Sequence, residues 1–276
     1  MTAGAEGVSE TVARACSDVQ RGGNAFHVEG VPLTADDTSF IGETLSNAPW
    51  VDRVYVVHCG LSDDGAACIA DAVRNRSLVA LSIYRNNVGS TGIAALSAVL
   101  RGMPRLSALN IGNNRLTSDD MHAVVDALAA TDKVDNLVLD DLPLDPRASR
   151  ALGALLSDRW KSVRDGLLSL DNCRAGARGI RTVLRALKHR CPEVLRLGGN
   201  DLRDAGCADV LRWSTESGVT MLDIANNGIV DVDPIYEYMR SRTEEPRVLV
   251  LRGNPLGEDE TDRIKLLARY TNVGVL

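Results

Sequence analysis

Residues 105–116 read RLSALNIGNNRL, and the same phrase returns as LVALSIYRNNV at 78–88, VTMLDIANNGI at 219–229 and PRVLVLRGNPL at 246–256. Each copy fits L-x-x-L-x-L-x-x-N/C-x-L, so the chain is built from repeats rather than from unrelated elements. We call the Asn or Cys position, or its equivalent in the less regular copies, the anchor. The anchors are Val31, Cys59, Asn86, Asn114, Leu142, Cys173, Asn200, Asn227 and Asn254.

Successive anchors are 27 or 28 residues apart, with one interval of 31. Ten residues after most anchors comes an apolar residue, such as Ile41, Ile69 or Leu96, and four residues later a second one follows. An i, i+4 apolar pair in a polar segment predicts a helix that buries one face. Each repeat is therefore predicted to be a short strand, a loop and a helix, and such units bury their apolar faces only by stacking.

The pattern resembles the leucine-rich repeat family, and the spacing with Asn or Cys anchors resembles its ribonuclease-inhibitor-like class. The resemblance covers about residues 24–276, which we predict to be a repeat domain of about nine repeats. It implies an α/β solenoid, or horseshoe, with parallel strands on the concave face and helices on the convex face. In that family the anchor side chain forms hydrogen bonds with backbone groups of the loop. The side chains of Val31 and Leu142 cannot form these bonds, so the backbone groups of those two turns must be satisfied in another way.

Both ends of the chain differ from the repeats. Val8, Val12, Cys16 and Val19 fall on one face of a predicted helix, so residues 1–23 are expected to form an N-terminal capping helix over the first strand. Val273 and Leu276 fit the start of a tenth repeat, and we expect the strand edge there to be short or covered by a partner.

Composition narrows the class of protein. A chain of 276 residues that is 45% hydrophobic and 25% charged is typical of globular proteins. There is no apolar run of bilayer length and no signal-like N-terminus, and the six cysteines show no disulfide spacing. These features predict a cytoplasmic protein that does not contact a membrane. A cytoskeletal or flagellar location is among the options.

The sequence offers little sign of reaction chemistry. The four histidines lack metal-binding spacing, and the Gly-Gly pair before Asn200 lacks the lysine of a phosphate-binding loop. His58, Cys59 and two nearby aspartates suggest a nucleophile, but a buried anchor cysteine explains them better. We therefore predict no catalytic residues, no metal and no cofactor.

Strand side chains alternate between faces, so the residues between the conserved apolar positions are expected to form the concave surface. One predicted group is rich in aromatic and arginine residues, which are enriched in interface hot spots. A second is acidic, and an apolar stripe of Val194, Met221, Val248 and Val250 suits a partner helix. An ordinary solvated surface explains these columns equally well. The predicted protein-binding residues are Arg53, Tyr55, His58, Tyr84, Arg85, Asp140, Asp141, Asp171, Arg196 and Arg252.

Charge is segregated along the chain. Residues 147–196 hold 12 basic and 4 acidic residues, although the whole chain has a formal net charge of −6. A solvated helix face explains this stripe as well as a binding site does. As a site it favours an acidic protein, with RNA ranked lower because no aromatic residues interleave. The predicted basic patch consists of Arg174, Arg178, Arg181, Arg185 and Lys188.

Two functions follow from the resemblance. The first is a non-enzymatic protein-binding scaffold or structural subunit of a larger intracellular assembly, because the family chiefly serves in recognition. The alternative is a GTPase-activating protein similar to the Ran GTPase activator, for which Arg53 and Arg85 are the residues to test. That family's long acidic tail is absent here.

Overall fold

The computed structural model describes residues 7–131, 135–159, 166–187, 191–241 and 247–276. The chain folds as two compact units, Met1–Asn136 and Leu137–Leu276. Strands and helices alternate strictly in each, as the repeat pattern predicts. The first unit contains α1 (Glu10–Gln20), β1 (Ala25–Glu29), α2 (Ala35–Ser46), β2 (Arg53–Val57), α3 (Asp63–Ala72), β3 (Ala80–Ser82), α4 (Ser90–Leu100), β4 (Ala108–Asn110) and α5 (Ser118–Leu128).

Strand β5 (Asn136–Val138) spans the division between the units. The second unit then repeats the alternation to the last described residue. Its elements are α6 (Pro146–Arg159), β6 (Leu167–Ser169), α7 (Gly176–Leu187), β7 (Val194–Arg196), α8 (Arg203–Glu216), β8 (Met221–Asp223), α9 (Asp233–Arg240), β9 (Arg247–Val250), α10 (Glu258–Ala268) and β10 (Val273–Val275).

The strands are parallel and follow chain order within each unit. In the first, Val54 pairs with Leu81 and Leu81 with Leu109. In the second, Leu195 pairs with Leu222 and Leu222 with Leu249. These side chains are almost fully buried. The predicted inward-facing ladder of apolar residues is confirmed, and the fold is an α/β leucine-rich repeat solenoid.

Asparagine anchors hold neighbouring repeats together. Asn86 accepts hydrogen bonds through Oδ1 from the N–H groups of Cys59 and Leu61, at 2.9 and 3.0 Å. Its Nδ2 donates to the carbonyl oxygens of Val56 and Ile83, at 2.7 and 2.8 Å. Asn114, Asn200, Asn227 and Asn254 bond in the same way. The anchor thus satisfies turn groups that the short strands leave unpaired.

Cysteine and leucine anchors use other solutions. The Cys173 thiol donates to the carbonyl oxygen of Leu139 at 3.2 Å, and burial raises the pKa of this thiol and of the Cys59 thiol. The neutral thiol is the form that donates, so the raised pKa suits a structural role. At Leu142 the backbone N–H donates to the carbonyl oxygen of Leu139 at 3.2 Å, so a backbone hydrogen bond closes this turn without an anchor side chain.

Helix α1 covers the beginning of the first unit. Val12, Cys16 and Val19 are fully buried, as the spacing predicts, and the helix packs on β1 and α2. Asp37 accepts from the backbone N–H groups of Ser9 and Thr34, and so joins α1 to the N-terminus of α2. Burial opposes ionisation of Asp37, but these hydrogen bonds outweigh it and lower the carboxyl pKa.

Candidate functional site

The candidate site is the face of the sheet opposite the helices, which we call the strand face. Alternate strand residues point to it, so side chains of successive strands form columns. In the first unit, His27 pairs with Tyr55, Tyr55 with Ser82, and Ser82 with Asn110. The second unit continues this pattern from Ser169 to Arg196, Asp223 and Val250. The register therefore aligns the predicted columns, but Ser82, Ser169, Asp223 and Val250 are buried and add little accessible surface.

An aromatic group lies on the strand face of the first unit and consists of His27, Tyr55 and Tyr84. The rings of His27 and Tyr55 meet edge to face, with their centroids 5.8 Å apart. The Tyr84 hydroxyl accepts from Asn113 Nδ2 at 3.3 Å. Both tyrosines are half-buried, so each ring is held by its neighbours and still presents a surface. Aromatic side chains held in this way lose little entropy on binding.

The predicted basic residues beside this group have different roles. The Arg53 guanidinium lies 3.3 Å from the Asp52 carboxylate, so its charge is partly neutralised. His58 and Arg85 are exposed and adopt left-handed backbone conformations, with φ of 53° and 55°. Other repeats have the same conformation just before the anchor, at Asn113 and Gly199 among others. The left-handed backbone is thus a property of the repeat, and His58 and Arg85 project from its turn.

The acidic group differs from the sequence expectation of three solvent-facing carboxylates. Asp140 is only 5% exposed, and its Oδ1 accepts from the Ser169 hydroxyl at 2.6 Å and the Asp171 N–H at 3.0 Å. Asp140 therefore bonds one repeat to the next, as the anchors do. Asp141 is exposed in the following turn, with φ of 61°.

Asp171 has the most perturbed carboxyl group of this face. It is 9% exposed, accepts from the Gly198 N–H at 2.7 Å, and lies 2.5 Å from the Arg196 guanidinium. Burial raises its pKa to about 6, an effect that Arg196 opposes and Asp140 reinforces. Arg196 is thus occupied by an internal ion pair, while Arg252, two repeats further on, is exposed.

The apolar stripe is present in register. Val194 pairs with Met221 and Met221 with Val248, and all three are half-buried on the strand face. Val250 is only 5% exposed and contributes little accessible surface, which corrects its expected place in the stripe.

The basic patch lies on α7 and the turn before it. Arg174, Arg178 and Arg185 are exposed. Arg181 is instead half-buried and bonds Asp209 of α8 through both Nε and a terminal nitrogen, so its charge is neutralised. Lys188 lies outside the described residues. The patch therefore has fewer free charges than the sequence suggests.

Sequence reasoning missed several partners of these residues, among them Asp52, Asn113, Ser169 and Asp209. Asp209 follows Arg181 by 28 residues, and Ser169 follows Asp140 by 29, which is about one repeat in each case. Aligning the repeats and comparing equivalent positions would have paired them. Periodicity within a single repeat carries no such signal.

Among the described residues, no group of three or more His, Cys, Asp or Glu side chains is arranged to hold a metal ion. Within the same ranges, no helix is both long and apolar enough to cross a bilayer.

Comparisons with known proteins agree with this architecture. A family model described as "Leucine Rich repeat" matches residues 74–97, which contain the Asn86 anchor and the start of α4. Together with the repeats and the fold, this match supports a leucine-rich repeat protein. A search of curated proteins found no match.

A similar solved structure is titled "Crystal structure of Rad7 and Elc1 complex in yeast". The TM-score is 0.52 at 14% sequence identity, over 85% of this chain. The match spans 64% of the other chain's length. At this identity the similarity concerns the fold.

Proposed function

We propose that this protein is a non-enzymatic scaffold or structural subunit of a larger assembly, and that it binds other proteins through its strand face. The observation that carries the proposal is the aromatic group, in which Tyr55 and Tyr84 are half-buried on a sheet backed by a packed core. Tyrosine and arginine dominate the energetics of protein interfaces because they combine large contact area with polar groups. Exposed Arg85 and His58 border these rings and supply such groups.

The fold comparison supports a role in assembly, since the similar chain was solved in a complex with another protein. The apolar stripe of Val194, Met221 and Val248 adds a second surface, which suits the apolar face of a partner helix. The basic patch, which lies on α7 and the turn before it, adds a third surface.

The test compares partner capture by the wild-type protein and the Tyr84→Ala variant in native cell extract, with quantitative mass spectrometry. If Tyr84 is an interface hot spot, its removal weakens partner binding by at least about 10-fold. Tyr270→Ala is the matched control, because Tyr270 is 80% exposed and follows helix α10. Circular dichroism and urea unfolding establish that both variants fold. Equal recovery of every wild-type partner by Tyr84→Ala would refute binding through the aromatic group.

The alternative function, activation of a GTPase, requires that the Arg53 or Arg85 side chain be free to contact the GTPase. An arginine supplied to a GTPase accelerates hydrolysis by about 10³ to 10⁵. Arg53 is bonded to Asp52 and must leave that carboxylate to act, whereas Arg85 is exposed. We expect no acceleration of phosphate release when the protein is mixed with purified small GTPases. Acceleration that Arg85→Ala abolishes would replace the scaffold proposal.

A further inference from the structure

The groove between α7 and α8 combines an apolar floor with basic edges. Ala177 and Leu184 of α7 and Val210 and Trp213 of α8 line it. The groove has a volume of about 230 Å³. Pockets for drug-sized ligands and cofactors occupy about 300 to 1,000 Å³, so this groove fits one or two side chains of a protein partner.

The charges around the groove have one dominant sign. Helix α7 contains three arginines and no acidic residue. The adjacent helix α6 adds Arg147 and Arg150, which are exposed. Arg178 and Arg185 are also exposed, and no ion-pair partner is recorded for either among the described residues.

Acidic residues of α8 do not cancel this charge. Asp209 is bonded to Arg181, and its other oxygen lies 3.8 Å from Arg212. Asp204 accepts from the N–H groups of Val230 and Asp231 in the next repeat. Among the described residues that line the groove, Glu216, at the end of α8, is the one carboxylate that these contacts do not occupy.

We propose that the α7–α8 groove and the exposed arginines beside it bind an acidic protein segment that carries one bulky apolar side chain. The apolar residue enters the groove between Leu184 and Val210, and carboxylates of the segment lie against Arg178 and Arg185. These arginines are seven residues apart, or about 10 Å along the helix axis. Acidic residues two turns apart on a partner helix match this distance. Electrostatic attraction of this kind also accelerates association.

An acidic protein segment fits these features better than nucleic acid does. Proteins that bind single-stranded nucleic acids stack the bases on aromatic side chains, and α7 has none. The groove has one aromatic residue among its described lining residues, Trp213, and the indole nitrogen of Trp213 is buried. This inference rests on the proposed scaffold function and assigns a ligand class to the surface formed by the basic patch.

The test uses a fluorescein-labelled helical peptide of about 16 residues, roughly 24 Å long, built from Glu and Ala with one central Phe. Fluorescence anisotropy measures its affinity for the full chain at low salt. The variant Arg178→Glu/Arg185→Glu exchanges attraction for repulsion at two positions and is expected to weaken binding by at least about 10-fold. The control Arg14→Glu/Arg21→Glu alters the net charge equally, at an exposed arginine of α1 and at the exposed arginine that follows this helix, and is expected to retain affinity within about 2-fold.

Two further probes define the ligand. Replacing the central Phe of the peptide by Ala is expected to weaken binding by about 10-fold, since the groove then remains open to water. A uridine-rich RNA of similar length is expected to bind more weakly than the peptide.

Equal affinity of the two double variants would overturn the proposal. So would an unchanged affinity without the Phe, or RNA binding in preference to the peptide. The Tyr84→Ala variant is expected to bind the peptide normally. If Tyr84→Ala loses no partner but the peptide results hold, the proposal for the aromatic group fails and the proposal for the groove stands. If Tyr84→Ala loses partners but the peptide results fail, the proposal for the groove fails and the proposal for the aromatic group stands.

Discussion

The asparagine anchors provide the sharpest test of how the repeats are held together. Replacing Asn86 by Ala removes four hydrogen bonds of 3.0 Å or less, two accepted by Oδ1 and two donated by Nδ2. It also removes a longer one, from Nδ2 to the Tyr84 carbonyl oxygen at 3.2 Å. Asn86 is only 7% exposed, so the N–H groups of Cys59 and Leu61 and the carbonyls of Val56 and Ile83 lose partners that water does not readily replace.

Each such bond contributes about 1 kcal/mol net, so Asn86→Ala is expected to lower the free energy of unfolding by about 4 kcal/mol. Asn87 provides a matched control, since it is the next residue and is exposed. Asn87→Ala is expected to change the free energy of unfolding by less than about 0.5 kcal/mol.

The protein's own cysteine anchors suggest a third variant. In Asn86→Cys the thiol can donate to a neighbouring carbonyl, as the Cys59 thiol does to the Val57 oxygen at 3.1 Å. It is a weak acceptor for the two N–H groups, so the loss should lie between the control and Asn86→Ala, at about 2 kcal/mol.

Urea unfolding followed by circular dichroism, with the slope m compared among the variants, measures these differences. The reasoning fails if Asn86→Ala lies within about 1 kcal/mol of Asn87→Ala. It also fails if cysteine at this position is as damaging as alanine.

Two other predictions concern stability. Burial raises the pKa of the Asp171 carboxyl group from 3.8 to about 6, so the fold favours the protonated form. The resulting stabilisation is complete below pH 3.8 and is lost as the pH rises through about 6, by up to about 3 kcal/mol of unfolding free energy. The decrease in unfolding free energy between about pH 4 and about pH 7 should therefore shrink in Asp171→Asn, and an unchanged decrease in urea titrations would contradict this. Gly92 lies where α4 packs on α3, and an added Cβ would be 2.7 Å from Val88 Cγ1 and 3.0 Å from the Asp63 Cα. Gly92→Ala should cost about 1 to 3 kcal/mol in thermal or urea unfolding. Gly257→Ala, with no atom within 4 Å of the added Cβ, should cost less than about 1 kcal/mol, because alanine is only a poorer N-cap for α10.

Much of the fold was predictable from sequence because the repeat restates the same local instructions. An apolar residue at every second strand position, a polar anchor and an i, i+4 apolar pair together specify strand, turn and helix. The burial of Leu81, Leu109 and Leu222 confirms this. The burial of Val12, Cys16 and Val19 was predictable for the same reason, since their spacing marks one helical face.

The state of the candidate site depended on contacts between repeats. Asp140 and Asp171 read as exposed charges, yet Ser169, Gly198 and Arg196 of neighbouring repeats bury and bond them. For this reason Asp140→Lys is expected to destabilise the fold.

The sequence by itself determined the repeat, the identity of the inward-facing residues and the order of strands and helices, because these follow from periodicities of two and about four residues. Only the tertiary structure decided which polar groups on the surface remain free. Arg181 is neutralised by Asp209, whereas Arg178 of the same helix has no ion-pair partner within the part of the chain that the structure describes. The physical reason is that the partner of Arg181 comes from the adjacent repeat, 28 residues away, so that its position depends on the register in which the repeats stack.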